Sequence, residues 1–188
     1  MKNIIMSIIF LGLLGYIFYD RNQKNKLREG VVNKKPWPAF IGRMQHNFPT
    51  ALVAPNKTIY STHVFNTSAK VDFSFGRTES MKKIQDSRAF SYIGTDITIA
   101  TLQNAVVGIV PGVIAKSVKK GEKVFIYTKK GSWTSEIRSV SGEIQTWYSA
   151  QAGESSGVVT NAKGEIITLY SLASGIGPNL VAIRDLFE

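Results

Sequence analysis

Ser155 stands in Gly153-Glu154-Ser155-Ser156-Gly157. One apolar-alternating run ends near Tyr148 before it, and a second, Val158-Val159-Thr160-Asn161, follows it. A serine held between glycines, with a strand on each side, suits a nucleophile whose backbone neighbours must donate hydrogen bonds. Gly/Ser clusters also make ordinary turns. The serine therefore acquires chemical meaning only if a base and a carboxylate occur in suitable settings.

The chain has 2 histidines. His63 ends the apolar run Thr58-Ile59-Tyr60-Ser61-Thr62, which delivers it to a loop edge, whereas His46, in Gln45-His46-Asn47-Phe48-Pro49, has no such delivery and reads as a turn residue. Among the aspartates, Asp96 follows the Gly94-Thr95 turn and leads the alternation Ile97-Thr98-Ile99-Ala100-Thr101-Leu102. A carboxylate at the mouth of a buried strand needs a partner, and a histidine N–H serves. Asp72, inside Val71-Asp72-Phe73, is expected to face solvent. In chain order the set is His63, Asp96, Ser155. Serine is a weak nucleophile at its own pKa. An imidazole must take its proton and later return it to the leaving group, while a carboxylate fixes the imidazole tautomer and stabilises the imidazolium.

These residues and their surroundings resemble the trypsin-like (chymotrypsin-fold) serine proteases, in the compact viral, bacterial or HtrA-like form. The His–Asp–Ser order is theirs. Ser61-Thr62-His63-Val64 is similar to their histidine motif, and Gly94-Thr95-Asp96-Ile97-Thr98-Ile99-Ala100 to their aspartate-led strand. Gly153 to Gly157, with Val158-Val159-Thr160-Asn161 and Gly164-Glu165-Ile166-Ile167 after it, is similar to their nucleophile block and the hairpin that follows. The resemblance covers about residues 38–185.

It implies a serine endopeptidase acting through an acyl-enzyme. Ser155 would be the nucleophile, His63 the base and then acid, and Asp96 the orienting group. The N–H groups of Gly153 and Ser155 would form the oxyanion hole. The same resemblance places Ser149, Ala150, Tyr170, Ser171 and Leu172 around the substrate side chain. No acid is among them, so a medium-sized apolar or uncharged polar residue is expected before the cleaved bond. Glu154, Ser156 and Val158 depart from the family's usual Asp, Gly and Pro. Ser156-Gly157 could instead be the nucleophile and its glycine, a register that would put Glu154 where the oxyanion glycine belongs. A catalytically inactive protease-fold module that binds a peptide or partner protein is the alternative function.

The elements that must position these groups read as β-structure. From Ala39 on, short runs rich in Val, Ile, Thr, Phe and Tyr alternate with Gly, Asn, Pro and Lys-Lys turns. Strands are expected at residues 39–44, 50–54, 58–62, 70–75, 90–93 and 97–102, then at 113–118, 123–128, 132–139, 144–149, 158–161, 165–171 and 179–183. The expected fold is all-β, with two six-stranded antiparallel barrels (about 37–105 and 112–185) and a cleft between them.

The chain has no cysteine, which excludes disulfides, thiolate zinc sites and a cysteine nucleophile. No Walker loop or dinucleotide fingerprint occurs, and Gly175-Ile176-Gly177-Pro178 lacks the strand-to-helix setting of a phosphate cradle. No cofactor or metal is expected. The net charge is +10, and seven Lys/Arg against two acids lie in the first 35 residues. The remaining excess is spread thinly, a solvated basic surface, so no nucleic-acid partner is expected.

Ile4–Tyr19 is 16 residues without a charge, and Asp20-Arg21-Asn22-Gln23-Lys24 after it offers no small-residue cleavage site. Residues 1–19 are expected to form a single-pass membrane helix, residues 20–36 a charged tether and residues 37–188 the protease domain. The Lys/Arg excess downstream of the helix places the domain on the cytoplasmic side.

Overall fold

The fold was described from a computed structural model, over residues 2–64, 69–73, 77–83, 89–92, 95–171 and 176–187. It is mostly β, and every ladder within its two sheets is antiparallel. The first sheet holds β2 (Ile41–Arg43), β3 (Pro49–Ala54), β4 (Lys57–Ser61), β5 (Ala69–Phe73), β6 (Arg77–Lys83), β7 (Ala89–Tyr92) and β8 (Thr95–Leu102). Their order is β4-β3-β2-β5-β6-β8-β7, and β4 also pairs with β8 from Lys57↔Thr101 to Ser61↔Ile97. That extra ladder turns the sheet into a nearly closed six-stranded barrel with β7 outside the ring. The thinnest joint is β2 to β5, held by the single pair Arg43↔Asp72. Closure removes the open edges that a sheet of this size would expose.

The second sheet runs β13-β12-β9-β10-β11-β14. Its strands are β9 (Lys123–Thr128), β10 (Gly131–Ser141), β11 (Glu143–Thr146), β12 (Val158–Asn161), β13 (Ile166–Leu169) and β14 (Ile176–Pro178). A short β1 (Val31–Val32) adds to β10. No ladder joins β13 to β14 among the described residues, but the Ser171 N–H donates to the Ile176 carbonyl at 3.3 Å and the Thr168 hydroxyl to the Pro178 carbonyl at 2.7 Å, so the two end strands lie beside each other and the described ladders form a second sheet.

Side-chain alternation assigns β4 and β8 to two cores. Tyr60, Ala100 and Leu102 pack inside the barrel with Leu52, Val71 and Phe73. Ile59, Ile97 and Ile99 point the other way, into a core shared with Tyr127, Val158, Ile166, Leu169 and Phe187 of the second half. The period of two along a strand makes this possible. The two halves are thus joined by buried apolar surface, and the loops that meet across the joint are held in fixed relation.

Several expectations are corrected. Residues 113–118 do not form a strand; among the described residues the segment's backbone pairs with β13 at the single parallel bridge Ile114↔Ile166. Residues 180–183 of the expected last strand form a short helix, α2 (Leu180–Ile183), after β14. The strand β6, Arg-Thr-Glu-Ser-Met-Lys-Lys, was not anticipated.

The N-terminal helix, α1, runs Lys2–Glu29 without a break at Asp20, where a tether was expected, and a 2.9 Å Asp20–Lys24 ion pair spans that point. No helix among the described residues is long and apolar enough to cross a membrane, so the expected transmembrane span is not supported. The physical reason is length. The charge-free stretch Ile4–Tyr19 reaches about 24 Å at ~1.5 Å per residue, against ~30 Å of hydrocarbon. Its apolar side chains, among them Ile9, Phe10, Leu13 and Phe18, are nonetheless exposed.

Candidate active site

His63 and Asp96 are brought together by the β4–β8 ladder. Ser61, at the end of β4, pairs with Ile97, next to Asp96. The chain then bends through a short 3-10 turn, Thr62–Val64, which carries His63 over the strand end. Asp96 accepts from three groups there. Its Oδ1 takes the His63 backbone N–H at 2.9 Å, and its Oδ2 takes the Ser61 hydroxyl at 2.5 Å and the imidazole Nδ1 of His63. Ser61 Oγ also lies 3.1 Å from that Nδ1. An ionised carboxylate only accepts, so Nδ1 carries the proton and Nε2 keeps its lone pair. That tautomer is the one a general base needs. The His63 side chain is 45% exposed, so the lone pair is open to a substrate.

Ser155 comes from the loop that precedes β12. It is 7% exposed and adjoins Ser156, whose left-handed φ of 64° turns the chain toward Gly157. Ser156 itself is buried and fully engaged. Its hydroxyl donates to the Pro49 carbonyl at 2.8 Å and accepts the Ser61 N–H at 3.0 Å, and its N–H reaches the Tyr170 carbonyl at 2.7 Å. These bonds pin the loop carrying Ser155 onto the barrel segment carrying His63, and they leave Ser156 Oγ no freedom to attack a substrate. Of the two adjacent serines, only Ser155 keeps an uncommitted hydroxyl. Among the described residues neither Ser155 Oγ nor His63 Nε2 has a hydrogen-bond partner, so the histidine–serine link of a triad is not made in this state.

The loop amides divide in an informative way. The N–H groups of Glu154, Ser156 and Gly157 are taken by Gln151, Tyr170 and Glu154 carbonyls at 3.0, 2.7 and 3.1 Å. Among the described residues those of Gly153 and Ser155 are not taken. Gly153 has φ 89°, a conformation that glycine adopts at little cost. An oxyanion site needs unspent N–H donors of this kind, converging on one point beside the nucleophile.

Glu154 holds this loop from beneath. It is 1% exposed. Its carboxylate accepts from Tyr148 OH at 2.9 Å, Gln151 N–H at 2.7 Å and Thr128 Oγ1 at 3.0 Å. Burial first, and then the hydrogen bond and charge of Glu154, raise the Tyr148 pKa well above the tyrosine range, so this phenol stays a donor. Tyr148 also stacks on Trp133 with centroids 4.6 Å apart.

The residues expected around the substrate fall into three groups. Ser149 is exposed, and Ala150 and Ser171 are buried. Tyr170 is wholly interior, its hydroxyl on Thr146 Oγ1 at 2.6 Å, so its side chain is not open to a substrate. Leu172 lies outside the described residues. His46 sits in the turn Gln45–Asn47 with φ 57°, and Asp72 is exposed. Pockets of about 280 and 480 Å³ occur elsewhere, around Gly112 and Val113, and contain neither His63 nor Ser155.

Two participants had not been singled out in the sequence. Ser61 has no motif signal beyond its place before Thr62-His63. Glu154 carried one: an acid set between glycine and serine, in a stretch otherwise suited to burial, needs buried donors. No protein-family model matches the chain, and no curated protein matches it in sequence.

Proposed function

We propose that the chain is a serine endopeptidase. The observation that carries the reading is the loop Gly153–Gly157, where a free Ser155 hydroxyl is flanked by two unspent N–H donors and tied to the segment bearing an Asp96-backed His63. In the proposed reaction a peptide carbonyl lies with its oxygen toward the Gly153 and Ser155 N–H groups. Ser155 Oγ attacks the carbonyl carbon as His63 Nε2 takes the hydroxyl proton. The tetrahedral oxyanion collapses, the C–N bond breaks, and the same proton passes from Nε2 to the leaving amine. Water then repeats the sequence on the acyl-enzyme. Ser149, Ala150 and Ser171 carry no charge, so none of the three supplies a carboxylate that would select Lys or Arg before the cleaved bond.

A second reading has one observation in its favour: the His63–Ser155 hydrogen bond is absent, as it would be in an inactive, peptide-binding module. Catalytic hydrogen bonds often tighten only when substrate binds. Digestion of a peptide library, followed by mass spectrometry, separates the two. Cleavage by the wild-type chain that is lost in Ser155→Ala supports the peptidase; binding without cleavage by either supports the module.

The exposed apolar half of α1, with Lys2 before it and Arg21 after it, suits attachment to an anionic bilayer surface. Co-sedimentation with anionic vesicles that Leu13→Glu weakens is the expected result, and equal sedimentation of both would count against attachment through this helix.

A further inference from the structure

We propose that Lys129 and Lys130 form a cationic subsite beside the oxyanion loop that selects substrates with an acidic side chain next to the cleaved bond. The proposal rests on the peptidase reading above. The β9–β10 hairpin turns through these two residues, and its tip lies against Gly153. A Cβ placed on Gly153 would meet Lys130 Cε at 3.2 Å, Lys129 Cε at 3.4 Å and Lys130 Nζ at 3.7 Å. The Gly153 N–H is one of the two donors assigned to the reacting carbonyl oxygen. Both ammonium groups therefore lie within a side chain's length of the reacting bond.

The lysines are held there. The Thr128 hydroxyl lies 3.0 Å from Glu154 Oε1 and 3.1 Å from the Gly131 carbonyl, and it accepts the Lys130 N–H at 3.2 Å. One side chain thus locks the hairpin turn to the oxyanion loop. On the opposite side, Lys129 Nζ sits 3.9 Å from the Phe48 ring centroid. Phe48 precedes Pro49, whose carbonyl accepts the Ser156 hydroxyl. The cation–π contact therefore draws Lys129 across the junction of the two halves, on the nucleophile's side.

The charge of this rim is not spent elsewhere. Among the described residues the ion pairs are Asp20–Lys24, His63–Asp96 and Arg184–Asp185, and neither Lys129 nor Lys130 is in one. Glu154 is the acid held by this hairpin. Its carboxylate is turned inward and saturated by Tyr148, Gln151 and Thr128, so it offsets part of the charge without occupying the rim. A substrate carboxylate at this edge would meet two ammonium groups, and a substrate ammonium would be repelled. An exposed ion pair shifts an equilibrium by up to about fivefold; two cations facing one side chain warrant about tenfold at low salt.

The test uses internally quenched peptides that differ only in Glu, Gln or Lys at each of the two positions on either side of the cleaved bond. The wild-type chain is expected to show a Glu-to-Lys ratio in kcat/KM of about tenfold at one of these positions in ~50 mM salt, and about twofold in ~0.5 M salt. The double substitution Lys129→Gln, Lys130→Gln brings the ratio near one, and Lys130→Glu inverts it. Each ratio is taken within one preparation, so a change in overall rate cancels. Labelling of Ser155 by a neutral fluorophosphonate reports the peptidase reading separately. A labelled chain whose ratio is near one, or whose ratio survives the double substitution, overturns the subsite alone. A chain that neither labels nor cleaves overturns both.

Discussion

Replacing Ser156 distinguishes a structural clamp from a nucleophile, and the order of two variants carries the argument. The Ser156 side chain is fully buried, with its hydroxyl between Pro49 O and Ser61 N–H. Ser156→Ala strands both backbone groups in the junction. At about 1–3 kcal/mol for each stranded group, less where a water can enter, the loss is about 3 kcal/mol. The alanine also keeps the strain of a left-handed backbone at φ 64°. Ser156→Gly loses the same hydroxyl but relieves about 1–2 kcal/mol of that strain, partly offset by the larger entropy of a glycine in the unfolded chain. The glycine variant should therefore be about 0.5–1 kcal/mol more stable than the alanine variant, the reverse of the order found in strands and helices. Urea unfolding of the three proteins, monitored by tryptophan fluorescence, gives the order. The reasoning fails if Ser156→Ala lies within ~0.5 kcal/mol of wild type, or if the glycine variant is the less stable of the two. It also fails if Ser156→Ala folds but no longer reacts with a fluorophosphonate.

Asp96→Asn leaves one carbonyl oxygen for the three donors that now converge on the carboxylate, and its NH₂ faces Ser61 Oγ or the His63 ring. The imidazole loses its fixed tautomer, and kcat is expected to fall by about 10³–10⁴; a loss under tenfold in steady-state hydrolysis would show that Asp96 does not orient His63. Glu154→Gln puts an amide donor among the Tyr148, Gln151 and Thr128 donors, which should cost about 2–4 kcal/mol in urea unfolding, and an unaffected midpoint would remove Glu154 from the account. At high pH the buried tyrosines set the limit of stability. Burial raises Tyr60 to about 12, against an opposing hydrogen bond from Thr98, and raises Tyr148 and Tyr170 further. A folded pKa above the unfolded value of about 10 means this contribution is intact below pH ~10 and is lost as pH rises toward 12 and beyond. The unfolding free energy from urea titrations should fall by about 1.4 kcal/mol per pH unit for each such group, together with the rise of tyrosinate absorbance; a free energy that stays level to pH 12 would contradict the burial of these rings.

The sequence carried the strands best where apolar alternation meets a turn. Residues 123–128 and 158–161 were expected at the bounds they occupy, because each is a central strand bounded by Lys-Lys or Asn turns. Arg77–Lys83 was missed because Met81 is its one apolar residue, and its strand state comes from ladders to β5 and β8 rather than from its own pattern. Residues 113–118 alternate like a strand, but only one bridge finds a partner, so tertiary context overrides propensity there. Residues 180–183 are apolar in a run too short to fix a period, and they close as a helical turn over the shared core. The six-stranded barrel of the first half was foreseen; in the second half the end strands β13 and β14 meet through single hydrogen bonds and not a ladder among the described residues, a detail that strand number does not state.

Of the candidate site, His63 and Asp96 were legible because an apolar strand places each at a strand end. The motif favours Ser155 over Ser156, since the other register puts Glu154 at the oxyanion glycine, but the structural ground for that choice is not in the motif. It turns on which hydroxyl is consumed by Pro49 and Ser61, residues about a hundred positions away in the chain, and no local pattern encodes that. Glu154 appeared in the sequence as a departure from a familiar motif. Its buried partners instead make it the support of the whole loop.

The most direct measurement is intact-mass analysis of the chain after exposure to diisopropyl fluorophosphate, with peptide mapping of the adduct. The account predicts a single phosphoryl adduct on Ser155, abolished in Ser155→Ala and strongly reduced in His63→Ala. An adduct on Ser156, or no adduct on a folded chain, would contradict it.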